Sequence, residues 1–231
     1  MTPITTDKRV RQAIVAAVDA KTINDRANAG AGLPSKELFY ETSRWHTSTP
    51  APAYDPAKAK ALVDEVKKEG KWDGSIELKC NNAPDRLATA TAVQSMLEAA
   101  GFKVTVKNDL DQNALITAVN VNRDYQIACS GFNISDEQPD VQFVALFKSG
   151  SPTNIFGINS PVVDAAIEKS RQAKNDADQK AAYDEITKYF LDEAPAAIYH
   201  PGWELIAWNK NVQGIKPTLS SIVLFDKAFL A

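Results

Sequence analysis

Cysteine and histidine are the scarcest chemistry-bearing residues in this 231-residue chain, with two of each. Cys80 and Cys129 form no CxxC pair, and two histidines cannot complete a Cys/His zinc site at the usual spacings. The cysteines read as two small buried residues, with a disulfide as the alternative. GxSxG, HExxH and P-loop patterns are absent, and sequence alone gives neither His46 nor His200 a partner. Hydrolysis or group transfer needs an activated nucleophile or a metal. Neither is signalled, so the chain reads as a non-enzyme with no cofactor and no metal. Positive charge is in slight deficit. The 26 Lys and Arg against 29 Asp and Glu leave a net charge of −3, without the basic footprint of a nucleic-acid or anionic-membrane binder. Apolar runs such as AIVAAV are too short to span a bilayer, and Met1 leads into TPITTDKRVRQ with no apolar leader core. Internal repeats, low-complexity tracts and a dividing linker are also lacking.

What is present is an ordinary globular composition, 44% hydrophobic and 24% charged, in a chain long enough for a real core. DKRVRQAIVAAVDAKTIND reads as one helix capped by Asp7, with Val10, Ala13, Ile14, Ala17 and Val18 on its buried face. A long loop from Gly30 to Pro52 follows, carrying Phe39, Tyr40 and Trp45; long loops with aromatics are more often functional or packed than idle. YDPAKAKALVDEVKKEG is a helix with Asp55 as cap and Pro56 at its first position. SIELKC, FKVTVKND and YQIACSGF read as strands, separated by the helices PDRLATATAVQSMLEAAG and DQNALITAVNVN. This alternation predicts parallel βαβ units with right-handed crossovers. With the strand order second, first, third, a crevice opens beyond the carboxyl ends of the first and third strands, at Asn81-Asn82 and Gly131-Phe132-Asn133. Three helices are expected in PDVQFVALFKSG, SPVVDAAIEKSRQAKN and DADQKAAYDEITKYFLDEAP. AAIYH, ELIAWN and SIVLF are short strand candidates.

The segment CSGFNISDEQPD is the richest in candidate site residues, because an apolar strand there opens into polar groups. Phe132 is either the apolar wall of a pocket or a core residue, and Trp45 carries the same ambiguity. Asn81 and Asn82 are either turn formers or amides that bond a ligand. Ser135 and Asp136 face either a ligand or solvent, whereas Glu137 and Asp140 read as a solvated turn with Asp140 capping the next helix. The acidic spacing is not that of an EF-hand, and Asn133-Ile134-Ser135 is a bare glycosylation sequon.

DKRVRQAIVAAVDAKTI, YDPAKAKALV, the run from Leu78 to Leu97, YQIACSGF, NIFGINSPVVDAAI, AAIYHPG and AWNKNVQGIKP follow one another in this order. In this the chain resembles, over essentially its whole length, the family 5 extracellular solute-binding proteins, the peptide- and nickel-type binding components of ABC importers. The resemblance implies an α/β, type II periplasmic-binding-protein-like lobe, a βαβ parallel sheet flanked by helices. Members of that family are longer, so residues 1–231 are expected to form the second, C-terminal lobe, with a tail from about residue 209 returning to a first lobe that is missing here. It further implies an extracytoplasmic (periplasmic) parent protein, ABC permease transmembrane subunits as partners, and a solute held between two lobes. In peptide binders of the family, an Asp three residues beyond an aromatic, usually Trp, holds the peptide's α-amino group. Here the aromatic is Phe132, that place is Ser135, and the acid comes one place later as Asp136. Cys129 stands where some oligopeptide binders carry Arg. The displaced acid counts against a peptide with a free N-terminus and gives weight to a sugar, an opine or another polar solute, and Cys129 further weakens a long-peptide solute. The implied ligand wall is Asn81, Asn82, Phe132, Asn133, Ser135 and Asp136, with Tyr40 and Trp45. Two rival readings remain: the small-molecule-sensing effector domain of a regulator, for which no basic helix-turn-helix is evident, and an enzyme using His200 or Cys129.

Overall fold

Local chemistry sets where the helices begin. In the computed structural model, which describes residues 3–201, 206–218 and 222–231, a 3-10 turn (Pro3–Thr6) precedes α1 (Lys8–Ala17) and α2 (Ala20–Ala27). The single helix expected here is two. The Asp19 carboxylate accepts from the Thr22 amide at 3.1 Å and the Thr22 hydroxyl at 2.6 Å, so it caps a new helix rather than sitting inside an old one. Next come α3 (Pro56–Lys68), β1 (Ser75–Asn81), α4 (Pro84–Ala99), β2 (Lys103–Leu110) and α5 (Gln112–Ile116). The Asp111 carboxylate caps α5 through the Ala114 amide, as expected, but the helix then widens into a π-turn over Thr117–Val121. β3 is only Ile127–Ala128, much shorter than YQIACSGF suggests; α6 (Pro139–Leu146), α7 (Pro161–Gln172) and α8 (Asp176–Glu193) follow. Asp55, Ser160 and Asn175 cap α3, α7 and α8 with their side chains.

β1 lies between β2 and β3, parallel to both, in the order β2-β1-β3. This is the order that puts a crevice at the strands' carboxyl ends. The alternation expected of SIELKC is lost from Leu78 onward, since a central strand is covered on both faces: Leu78, Lys79, Cys80 and Asn81 are all buried. Lys79 keeps its charge there. Burial works against the ammonium, but Asp124 at 2.8 Å and Glu77 at 3.4 Å outweigh it and hold its pKa above the usual range.

Two apolar clusters make up the interior. The first joins the sheet to α1, α3 and α4 through residues such as Val10, Val63, Leu78 and Leu97. The second joins α6, α7 and α8 to the long loop and contains Phe39, Trp45, Phe143, Phe147, Tyr183 and Phe190. Beneath this second cluster Asp140 is no solvated cap. Gln138 is the N-cap of α6, and the Asp140 carboxylate accepts from Ser170 Oγ, Tyr183 OH and Gln179 Nε2. Burial and the neighbouring Asp140 charge push the Tyr183 phenol well above its usual range.

Cys80 and Cys129 are joined by a disulfide across β1 and the end of β3, with Cα atoms 4.8 Å apart. The reading as two unlinked thiols is therefore corrected: parallel pairing places neighbouring-strand residues at a separation a disulfide spans. The tail forms two minimal antiparallel ladders, β4 (Val212–Gln213) with β7 (Phe229–Leu230) and β5 (Lys216–Pro217) with β6 (Val223–Leu224). Of the three strand candidates, AAIYH is not a strand. ELIAWN forms none over 206–209, its first residues lying outside the described ones. SIVLF supplies β6, with Ser221 outside the described residues.

Candidate functional site: a cleft at the carboxyl ends of the sheet

A cleft of about 630 Å³ opens where β3 leaves the sheet. Its walls come from α1, the loop that follows β3, the loop before Trp45, and the segment from Ala194 to Pro201. The volume lies within the range of small-molecule sites. β3 ends after two residues, so the chain from Cys129 onward is free to turn across the cleft, presenting Phe132, Asn133 and Asp136 to it.

Among the expected ligand residues, Tyr40, Phe132, Asn133 and Asp136 line this cleft together. Phe132 is half-buried and stands edge-on to Phe156 at 5.3 Å and to Phe147 at 6.0 Å, so it is both wall and edge of the second core. Ser43 Oγ donates to one Asp136 carboxylate oxygen at 2.7 Å; the other oxygen has no protein partner among the described residues. The Asp136 backbone carbonyl is held by Trp45 Nε1 at 2.7 Å and Arg44 Nε at 3.2 Å. The Tyr40 phenol is raised above its usual pKa, chiefly by desolvation and then by the charge of Glu41.

The other expected residues do not reach the cleft. Trp45 is 1% exposed and packs edge-on against Tyr183 at 5.1 Å; it supports the loop from behind. Asn81 is buried, its amide nitrogen donating to Gln112 Oε1 and its oxygen accepting from the Ala83 amide. Asn82 is exposed, with its amide on the Leu110 carbonyl, and Ser135 Oγ accepts from the Glu137 amide. The turn-former reading of the asparagines is the one the geometry favours.

Sequence reasoning missed several lining residues. Arg86 donates to the Tyr199 hydroxyl at 3.3 Å, and the phenol of Tyr199 is raised by burial, against the opposing pull of Arg86. Glu37 is paired with His46 at 3.0 Å. Ser43 is 93 residues from the carboxylate it supports, a distance no local pattern bridges. The PDR start of α4 was the one available signal for Arg86. His200 lines the cleft with Nδ1 on the Pro201 carbonyl at 2.9 Å and no acid paired to it among the described residues. Among the described residues, no cluster of three or more His, Cys, Asp or Glu is placed to hold a metal, and no helix is long and apolar enough to cross a membrane.

A parallel sheet flanked by helices, with a cleft at its carboxyl ends, is the architecture of a lobe of a type II periplasmic binding protein. The sequence pattern of the bacterial extracellular solute-binding proteins, family 5 middle region, matches residues 2–154, and the chain belongs to that family. A Brucella ovis protein provisionally named an ABC transporter peptide-binding protein is 25% identical over 197 residues, covering 80% of this chain and 37% of its own length. The dipeptide-binding protein of Pseudoalteromonas sp. SM9913, solved with Met-Leu, superposes with a TM-score of 0.83 at 21% identity, over 100% of this chain and 46% of that one. The A. tumefaciens R10 protein AgaA, solved with agropinic acid, gives 0.68 at 24% identity over 85% and 41%. The chain thus spans less than half the length of each of these relatives, and the structural likenesses bear on fold.

Proposed function

We propose that this chain is one lobe of the substrate-binding component of an ABC importer, supplying one wall of a cleft that closes on a peptide-like or other small polar solute for delivery to the permease. One observation carries the reading: Asp136 presents a carboxylate, steadied by Ser43 on one oxygen and open on the other, beside the aromatic wall of Phe132. Such a pair suits a solute with an ammonium group next to an apolar portion. The one-residue displacement of the acid relative to the family pattern is then absorbed by the irregular loop, which has no ladder to keep it in register. The Brucella ovis relative, provisionally named an ABC transporter peptide-binding protein, supports the peptide-like class.

Residues 1–231 are read as the second lobe, with the tail from about residue 209 returning to a first lobe. Exposed Trp208, Ile222, Phe225, Phe229 and Leu230 support this, since a surface so apolar suits a packing partner. Hinge closure of two lobes around the solute, outside the cytoplasm, completes the reading. The test is calorimetric titration of the two-lobed protein with Met-Leu, N-acetyl-Met-Leu and agropinic acid, in wild type and Asp136→Asn. Binding lost on acetylation and on Asp136→Asn supports the amine anchor. Binding indifferent to both sinks it.

A further inference from the structure

β3 pairs with β1 through only two residues, Leu78 with Ile127 and Lys79 with Ala128, and the last backbone tie is the Cys129 amide donating to the Lys79 carbonyl at 2.7 Å. Beyond it, residues 129–138 have no regular secondary structure, yet they carry the cleft-lining Phe132, Asn133 and Asp136. The far end of this loop is held by Trp45 and Ser43 on Asp136. The near end is held by the disulfide from Cys129, itself a lining residue, to Cys80, which is fully buried in the central strand. Gly131, one residue before Phe132, has nothing within 4 Å of where its Cβ would be, so the loop has little packing of its own there.

We propose that the Cys80–Cys129 disulfide is a positioning device for the solute cleft: it fixes the root of the cleft loop to the rigid central strand, where the hydrogen-bonded ladder has already stopped. Preorganisation of this kind removes the ordering cost that a solute would otherwise have to offset. The inference rests on the reading of this cleft as the solute site, but its geometry does not. A generic role is the competing explanation, since a disulfide closing a sequence separation of 49 residues also restrains the unfolded chain. The two differ in where reduction is felt.

The experiment needs no solute, so a failure of the transport reading leaves it intact. Thiol titration of the unreduced chain comes first, and two free thiols would overturn the proposal. Amide and indole hydrogen exchange is then followed by NMR in the oxidised chain, the reduced chain, and the Cys80→Ala/Cys129→Ala variant. On reduction, the Cys129 amide, bonded to the Lys79 carbonyl, and the Trp45 indole N–H, bonded to the Asp136 carbonyl, are expected to exchange faster by about tenfold or more, because their opening becomes local. The Trp72 indole, bonded to the Ser75 carbonyl at 2.8 Å, and the amides of α7 and α8 are expected to be unchanged. The double variant should match the reduced chain, and reoxidation should restore the original rates. Unchanged exchange in the loop, or an equal loss in α7, α8 and the sheet, would overturn the proposal in favour of a global staple.

Discussion

Replacing Trp45 with Phe tests whether the cleft loop is held from behind as the geometry says. The indole is 1% exposed, its ring packs edge-on against Tyr183, and the Arg44 guanidinium lies 4.3 Å from its centroid. Phe keeps an aromatic ring and removes the bond from Nε1 to the Asp136 carbonyl. Losing one hydrogen bond costs about 0.5–1.5 kcal/mol, and an acceptor left wholly unpaired costs more. Arg44 still reaches the same carbonyl at 3.2 Å, so the lower part of that range applies to the bond. The smaller ring adds an unfilled volume of the kind that costs about 1 kcal/mol. The sum is about 1.5 kcal/mol, or about 3–6 °C in Tm for a chain of this size. Trp45→Ala removes the ring as well and should cost about 3–5 kcal/mol. Urea unfolding followed by circular dichroism reads both, with an unchanged m-value expected. If Trp45→Phe shifts stability by less than about 0.5 kcal/mol, the hydrogen bond to Asp136 does not hold the loop.

Three further outcomes are expected. Asp140→Ala leaves the Ser170, Tyr183 and Gln179 donors without their shared acceptor and should cost about 2–4 kcal/mol in calorimetric unfolding, with Asp140→Asn milder because one acceptor remains. Acid should destabilise the fold through Asp19 and Asp184. Burial raises each carboxyl, but bonds from Thr22 to Asp19, and from Lys188 and Thr49 to Asp184, outweigh it and hold both below the reference value of 3.8. Their contribution is therefore complete above that value and is lost as pH falls through the depressed folded values. Asp19→Asn and Asp184→Asn should each flatten the fall in urea midpoint at low pH. Gly214→Ala places a Cβ 2.0 Å from the Lys227 carbonyl oxygen at a backbone φ of +73°, so it should abolish β4–β7 pairing, read as lost exchange protection at Ala231, whose amide bonds the Asn211 carbonyl across the pair, while the core amides are unaffected.

The sheet and most helices were legible because their signals are local. Asp55-Pro56 starts α3, Ser160-Pro161 starts α7, and the strand–helix alternation predicts parallel βαβ units, whose order the structure gives as β2-β1-β3. The break between α1 and α2 was not, since Asp19 sits at a position compatible with either a helix interior or a cap, and only its bonds to Thr22 decide. In the cleft, Phe132, Asn133 and Asp136 were legible from the way a strand runs into polar residues. Trp45 stays open between pocket wall and core in the sequence, because an aromatic in a long loop looks the same whether it faces a solute or a core. Its burial depends on α8, more than a hundred residues away in sequence. Arg86, Ser43 and Glu37 belong to the cleft only through such distant contacts, and a pattern of neighbours carries none of them.

The placement of Trp45 also explains why the cleft lies where the two apolar clusters adjoin. The sheet cluster fixes Cys80, and through it the start of the loop; the aromatic cluster around Tyr183 fixes Trp45, and through it the end of the same loop. The residues between these anchors form no ladder, so their side chains are free to be chosen for what they bind rather than for what they pack against. Phe132 and Ile134 are the exceptions, both packed against the aromatic cluster while lining the cleft, Phe132 through Phe147 and Phe156. Substituting Phe132 should therefore change stability and binding together, whereas Asp136→Asn, whose carboxylate is bonded by Ser43 alone among the described residues, should change binding with little change in stability. Measuring both quantities for both variants separates wall from anchor. Equal stability losses in the two would mean that Asp136 serves the fold, and the amine-anchor reading would fall.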